Sequence, residues 1–341
     1  EPPSDVKPRP LEEKKDDLEK RRMRVDELIQ IAERKFRAQK ALDSESCLRW
    51  LLNAAGDTLN EATKVGDAGL ENEEILTGLT KVRQNVVASQ EEFALVQEDG
   101  SVRTWGQPHY FFSDLTPMKL KNVQQIAASK SAFAALLADG SVVTWGSPDR
   151  GGDSAAVQDQ LQEIEELQAN KWAFAARRSD KTVVTWGDPE RGGDIRAVSS
   201  QLTDVQEIHS TRVAFAALRL DGTVVAWGDP ERGGRVAPGL RAVLKLEATD
   251  YALAALLTDG SVVCWGHPDH GGDSCAVQDQ LTDVKLIRAS QSAFAALRGN
   301  GTVVCWGDVA VGGSCKDVQS SLRNVEELHA TQGAFAALRS D

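Results

Sequence analysis

The sequence predicts a mainly β repeat fold preceded by a helical N-terminal segment. Three observations carry this. Six Trp-Gly dipeptides begin at Trp105, Trp145, Trp186, Trp227, Trp265 and Trp306, spaced 40, 41, 41, 38 and 41 residues apart. An aromatic-Ala-Ala-Leu type segment precedes each and appears a seventh time at Phe335–Leu338. The first 85 residues carry neither element. A period near forty residues is the mark of a repeat architecture in which each unit is one supersecondary element.

The 341 residues suffice for one large domain and a smaller one. No run reaches the roughly 20 apolar residues of a membrane helix. The formal net charge is -12, most of it in the repeats. An acidic repeat region disfavours nucleic acid as a partner, because phosphate binding is carried by basic side chains.

Residues 1–10 hold four prolines and few apolar residues, and read as an extended arm that orders against a partner. Residues 11–85 read as a helical segment of about three helices. The first lacks Pro and Gly from Leu11 to about Ala41. Its Leu18, Val25, Ile29, Ala32 and Phe36 form a narrow apolar stripe on a charged helix. Leu18, Val25, Ile29 and Phe36 are the candidate contact with other protein subunits, and peripheral association with a membrane complex is compatible with the same stripe. A second helix is expected from near Cys47, with Leu48, Leu51, Leu52, Ala55 and Leu59. A third is expected over Glu71–Gln84, with Ile75, Leu79 and Val82 on one side.

The repeats occupy 86–341. Each opens with two spaced branched residues, as in Val205 and Ile208. The Phe-Ala-Ala-Leu strand follows, then Asp-Gly or Asn-Gly: Asp99-Gly100, Asp139-Gly140, Asp221-Gly222, Asp259-Gly260 and Asn300-Gly301. That dipeptide between apolar segments is the strongest short-range hairpin signal, since both residues tolerate positive φ. Asp180-Lys181 departs from it. Asn300-Gly301-Thr302 also fits a glycosylation acceptor, and the turn is the favoured reading. The returning strand is Val-Val-x-Trp-Gly. A Pro-containing turn and a Gly-Gly pair then lead to the next unit. One small sheet cannot bury both of its faces, and stacking units around an axis solves this. The six tryptophans are read as packing between units.

With its opening Val-x-x-Ile, the pattern Phe-Ala-Ala-Leu, Asp-Gly, Val-Val-x-Trp-Gly and Gly-Gly resembles the regulator of chromosome condensation repeat family from about Val86 to Asp341. The resemblance implies a seven-bladed β-propeller with an incomplete last blade, because seven Phe-type strands meet only six Trp-Gly strands. The units are shorter than that family's usual blade. Their wording, as in Gly151-Gly152-Asp153 followed by Ala156–Leu161, is similar to repeats of dinoflagellate algae. The family also implies an activity to weigh: guanine-nucleotide exchange on a small GTPase. No exchange motif is matched here.

Four cysteines fall within the repeats. Cys264 and Cys305 replace the Thr before Trp. Cys275 and Cys315 follow the Gly-Gly pairs, in the place read as that of Ala155. Intra-unit disulfides Cys264–Cys275 and Cys305–Cys315 are the first reading, which brings an oxidising lumen or organelle into view. Four inherited thiols, a Cys275–Cys305 bridge across units and a metal site stay open beside it. His109, His209, His267, His270 and His329 are scattered, with His209 and His329 at equivalent positions. No phosphate-binding, metalloprotease or nucleophile-elbow motif occurs. The sequence points to no cofactor, no metal and no catalytic residue. Its leading functional reading is a non-catalytic interaction or scaffold subunit of a larger assembly.

Overall fold

The computed structural model describes residues 48–52, 58–59, 77–80, 85–90, 92–97, 100–106 and 120–340. The chain divides into two compact units, Glu1–Gln84 and Asn85–Asp341.

In the first unit, β1 (Leu48–Leu52) pairs antiparallel with β2 (Thr58–Leu59) and β3 (Thr77–Thr80). The described residues correct two expectations. Leu48–Leu52 is a strand where the second helix was expected, and Thr77–Thr80 is a strand inside the expected third helix. Leu48, Leu51 and Leu52 match helical spacing, but a stretch of only five residues is too short to separate the two periods. Threonines at Thr58, Thr77 and Thr80 supply β-branched partners on either side of it. The stripe Leu18, Val25, Ile29 and Phe36 lies outside the described residues.

The second unit is a succession of antiparallel sheets, six of three strands and a seventh of two, an arrangement typical of a propeller. The first sheet comprises β4 (Asn85–Ala88), β5 (Glu92–Val96) and β6 (Val102–Gly106). The second holds β7 (Val123–Ala128), β8 (Ala132–Leu137) and β9 (Val142–Gly146). The third holds β10 (Ile164–Ala169), β11 (Ala173–Arg178) and β12 (Val183–Gly187). The fourth holds β13 (Val205–Ser210), β14 (Ala214–Arg219) and β15 (Val224–Gly228). The fifth holds β16 (Val243–Ala248), β17 (Ala252–Leu257) and β18 (Val262–Gly266). The sixth holds β19 (Val284–Ala289), β20 (Ala293–Arg298) and β21 (Val303–Gly307). Among the described residues the seventh holds β22 (Val325–Ala330) and β23 (Phe335–Arg339).

Within a sheet the register repeats. In the fourth, Ile208 faces Ala217 and Phe215 faces Trp227. From the second sheet to the seventh, the opening strand carries a bulge one or two residues in, as between Val205 and Glu207. A non-glycine residue of positive φ stands just before each of these strands: Asn122, Glu163, Asp204, Ala242, Asp283 and Asn324. Lys181 is a seventh such residue, at φ 66° in the turn that lacks glycine.

The central strands are buried on both faces because each inner sheet lies between two others. Side chains alternate across a strand, and the clusters follow. In β11, Phe174 and Ala176 pack with Ala132, Ala134 and Leu136 of the preceding sheet. Ala173 and Ala175 turn the other way, onto Phe215, Trp227 and Ile208 of the next. One face of each sheet is therefore a bulky aromatic surface and the other a flat alanine surface. Both are needed, because a well-packed interface has no room for two aromatic layers.

Candidate functional site

In the second to sixth sheets the turn after Trp-Gly is a short 3-10 helix: Pro148–Arg150, Pro189–Arg191, Pro230–Arg232, Pro268–His270 and, without proline, Val309–Val311. Proline presets the first helical φ and lacks only a donor that would be orphaned there. In three turns an aspartate caps the start. Asp188, Asp229 and Asp308 accept from the N–H of Glu190, Glu231 and Ala310 at 3.0, 3.0 and 2.9 Å. Glycine in the left-handed region ends each turn.

The two glycines of the pair have separate duties. A Cβ on Gly151 would lie 2.4 Å from the Phe174 ring of the next sheet, whereas one on Gly152 would lie 2.2 Å from the Gly146 carbonyl oxygen. The Gly151 carbonyl accepts the Trp186 indole N–H at 2.9 Å. Trp227, Trp265 and Trp306 donate in the same way to Gly192, Gly233 and Gly271, each at 3.1 Å.

The last turn residue, Arg150, Arg191, Arg232 or His270, lands at one edge of successive sheets. Its carbonyl is held from below by a residue at a fixed place. Ser129 Oγ donates to Arg150 at 2.9 Å, Asn170 Nδ2 to Arg191 at 2.7 Å, Thr211 Oγ1 to Arg232 at 3.0 Å and Thr249 Oγ1 to His270 at 3.0 Å. All four donor residues are buried. A column of backbone hydrogen bonds fixes the neighbouring turns. Gln90 N–H donates to Lys130, Lys130 to Lys171, Lys171 to Arg212, Arg212 to Asp250, Asp250 to Gln291 and Gln291 to Gln332, at 2.7–3.2 Å.

On this base the side chains form a band of two clusters, one around Trp172 and one around Tyr251. The Trp172 ring has the Arg150 guanidinium 4.7 Å and the Arg191 guanidinium 4.3 Å from its centroid. Tyr251 has Arg212 at 5.8 Å and Arg232 at 5.6 Å. The Tyr251 ring meets His270 edge-on at 4.8 Å, and His270 meets His267 at 4.9 Å. Arg191 is paired with Asp188, Arg232 with Asp229 at 2.7 Å and Arg212 with Asp250 at 2.6 Å. His270 Nδ1 lies 2.7 Å from Ser292 Oγ. Burial, then the neighbouring His267, lowers the His270 pKa and favours the neutral ring. The band presents guanidinium groups beside aromatic faces on hydrogen-bonded turns. Among the described residues no cluster of three or more His, Cys, Asp or Glu is arranged to hold a metal.

The band did not emerge from the sequence, although one part of its signal was written there three times. Pro-Asp/Glu-Arg-Gly-Gly occurs at Pro148–Gly152, Pro189–Gly193 and Pro230–Gly234. Trp172 and Tyr251 each occur once, in a short turn where other units have Ser131, Val213 or Ser292, so no repeat flags them.

The residues singled out in the sequence fall elsewhere. Trp186, Trp227, Trp265 and Trp306 are buried between sheets, each stacked beside the aromatic or leucine of its own central strand. Trp145 is half-buried and stacks on Phe133. Trp105 stacks on Phe93 and is exposed. His209 and His329 lie at equivalent places, 3.5 and 3.1 Å from Glu207 and Glu327.

The expected disulfides are not formed: Cys264, Cys275, Cys305 and Cys315 are all free thiols. The register explains why one pair never meets. Cys315 occupies the place of Ser154 and Ser274, not that of Ala155, so it and Cys275 are not equivalent. In the second sheet this place holds a hydroxyl pair, Thr144 Oγ1 and Ser154 Oγ at 2.9 Å. In the fifth it holds Cys264 beside Ser274, and burial pushes the Cys264 thiol up to about 12. Exposed Cys275 lies one residue too far on, where its N–H bonds to Asp273. In the sixth sheet the place holds two thiols. The hydrogen bond from Cys305 lowers Cys315 to about 7 and raises Cys305 in turn.

No family model matches the chain, and no curated protein matches it. Solved structures similar to it include the ectodomain of the Physcomitrella patens receptor kinase CR4. That likeness has 20% identity over 72% of this chain and 67% of the other, with a TM-score of 0.44. Prp20p of Saccharomyces cerevisiae, studied for its binding to Gsp1p and histones, is 17% identical over 65% of this chain and 71% of its own, at 0.41. The CRINKLY WD40 ectodomain of Arabidopsis thaliana ACR4 is 16% identical over 73% and 87%, at 0.43.

Proposed function

We propose that this chain is a non-catalytic interaction subunit, a propeller-type repeat platform that docks other proteins on one edge of its sheets. The observation that carries the reading is the Arg150–Trp172–Arg191 and Arg212–Tyr251–Arg232 band. Arginine, tryptophan and tyrosine are the side chains that dominate interface energetics when they are held in place beforehand. Here Ser129, Asn170, Thr211 and Thr249 hold the backbone beneath them. The N-terminal arm and the stripe Leu18, Val25, Ile29 and Phe36 form the second contact element of the proposal.

The test is native purification of the full chain from its source cells, compared with a Trp172→Ala, Arg191→Ser variant and with a chain lacking residues 1–45. The expected outcome is a stable complex with the wild type and loss of subunits with either change, while near-ultraviolet circular dichroism shows the repeats intact. Retention of every subunit by both variants overturns the reading. Capture of a small GTPase that leaves with its nucleotide site emptied replaces it with nucleotide exchange.

A further inference from the structure

Arg150, Arg191 and Arg232 occupy one place in three successive sheets, the last residue of the turn after Trp-Gly. Their surroundings differ in one respect. Arg191 is paired with Asp188, and Arg232 with Asp229 at 2.7 Å, so the carboxylate comes each time from the residue three places earlier. At that place before Arg150 the chain has Ser147. Among the described residues no carboxylate pairs with Arg150; its Nη1 donates to the Ser131 hydroxyl at 3.2 Å, and its Nε is buried without a hydrogen-bond partner. Arg212, the fourth arginine of the band, is paired with Asp250 at 2.6 Å. Asp149 does not supply the missing partner. It is exposed and makes no ion pair, like Glu190 and Glu231 at the same place in the turns whose arginine is already paired.

The unpaired guanidinium is nonetheless held in place. It lies 4.7 Å from the centroid of the half-buried Trp172 ring, and Ser129 Oγ donates to the Arg150 carbonyl beneath it at 2.9 Å. A cation settled beside an aromatic face has already given up much of its rotamer freedom, so less is lost when an anion binds it. Lys171, the residue before Trp172, is a second cation without an ion pair among the described residues. Two unpaired cations beside one aromatic ring stand out in a chain of net charge -12.

We infer that Arg150 and Trp172 form a seat for a carboxylate side chain of a partner protein, presented by an acidic segment with an apolar side chain next to the acid. The partner's Asp or Glu takes the place beside Arg150 that Asp188 and Asp229 take beside their own arginines, and accepts from its Nη1. The apolar neighbour packs against Trp172. This rests on the reading of the same edge as a docking surface and adds the chemistry of what docks there. An exposed ion pair between two mobile side chains contributes little. An arginine fixed beforehand beside an aromatic ring gives a charge-assisted hydrogen bond in one geometry, which selects acidic partners over basic ones.

Ser147→Asp is the decisive variant, because it supplies the missing carboxylate from within the chain. Aspartate stands at that place in the third and fourth sheets, so the substitution suits the turn and fills the seat. The probe is a short amidated peptide repeating Gly-Glu-Leu, titrated against the full chain by fluorescence anisotropy, with the Gly-Lys-Leu peptide as its opposite. Wild type is expected to bind the acidic peptide. Ser147→Asp is expected to weaken binding by more than about tenfold, and the uncharged Ser147→Asn by less than about threefold. The gap between wild type and Ser147→Asp is expected to narrow at high salt. With the chain labelled with fluorotryptophan, the fluorine resonance that is lost in Trp172→Phe is expected to shift on adding the peptide. Failure of the wild type to bind, equal binding by wild type and Ser147→Asp, or equal binding of the lysine peptide overturns the inference. So does displacement of the peptide by inorganic phosphate at concentrations where acetate has no effect, which assigns the seat to a phosphorylated ligand. Native purification separates the two readings of this edge. Subunits that are lost by the Trp172→Ala, Arg191→Ser variant and kept by Ser147→Asp leave the docking platform standing and remove the acidic partner.

Discussion

At the scale of the residue, the tryptophans illustrate how much and how little a repeat discloses. Their spacing was legible, and Trp186, Trp227, Trp265 and Trp306 are buried, whereas Trp145 is half-buried and Trp105 is exposed. The acceptor of the indole N–H was not legible. It is the first carbonyl of the Gly-Gly pair one unit earlier, at a sequence distance of 35 residues for Trp227 and Gly192. The glycine is obligatory there for two reasons at once. Gly192 has φ 102°, and a Cβ on it would strike the Phe215 ring at 2.6 Å. A Trp227→Phe substitution keeps a ring beside Phe215 but removes the donor. The Gly192 carbonyl is then left buried and unpaired, which costs about 1–3 kcal/mol. Urea unfolding is expected to show that loss in the midpoint with an unchanged slope. A loss no larger than that of an exposed substitution would mean that water takes the place of the indole.

At the scale of the element, the hairpin turns were the best-read feature and the bulges the least. Asp-Gly and Asn-Gly announced turns because few other residues accept positive φ cheaply. The second positive-φ site of each unit, just before the opening strand, holds Asn122, Glu163, Asp204, Ala242, Asp283 or Asn324, and no shared residue type advertises it. The turn aspartates make a prediction about acid. The Ser141 hydroxyl donates to Asp139 at 2.6 Å, and Thr182, Thr223 and Ser261 do the same for Asp180, Asp221 and Asp259. These hydroxyl bonds, then the backbone N–H of the same residues, hold the four carboxyls below the ordinary range. A depressed folded pKa contributes stability that is present above the unfolded value of ~3.9 and is lost as pH falls through the folded value. The sixth sheet has a built-in control. Asn300 accepts from the Thr302 hydroxyl at 2.6 Å with the same geometry and nothing to titrate. Changing the four aspartates to asparagine is expected to flatten the fall in unfolding midpoint below that unfolded value and to remove, at neutral pH, the part of the stability that the ionised carboxylates supply. An identical acid dependence in both proteins would place the acid-sensitive groups elsewhere.

At the scale of the whole molecule, the repeat count was legible and the inequality of the repeats was not. Seven Phe-type strands were counted against six Trp-Gly strands, and among its described residues the second unit has six three-stranded sheets and one of two strands. What the count could not convey is that identical words take different energies from their place in the stack. The same Phe-Ala-Ala-Leu is inaccessible in β14, where Phe215 and Ala216 are fully buried, and largely open in β23. A repeat unit gains stability from the sheets it packs on, and β5 and β23 are less buried than β14 and β17. Local opening should therefore begin there. Hydrogen exchange by mass spectrometry is the direct measurement. Amides of β14 and β17, in the fourth and fifth sheets, are expected to exchange most slowly, at rates near those of global unfolding. Amides of β5 and β23 are expected to exchange faster by more than about tenfold, which corresponds to over ~1.4 kcal/mol of local stability. Uniform protection along the stack would mean that all the sheets open together, and the nearest-neighbour account of this repeat would fail.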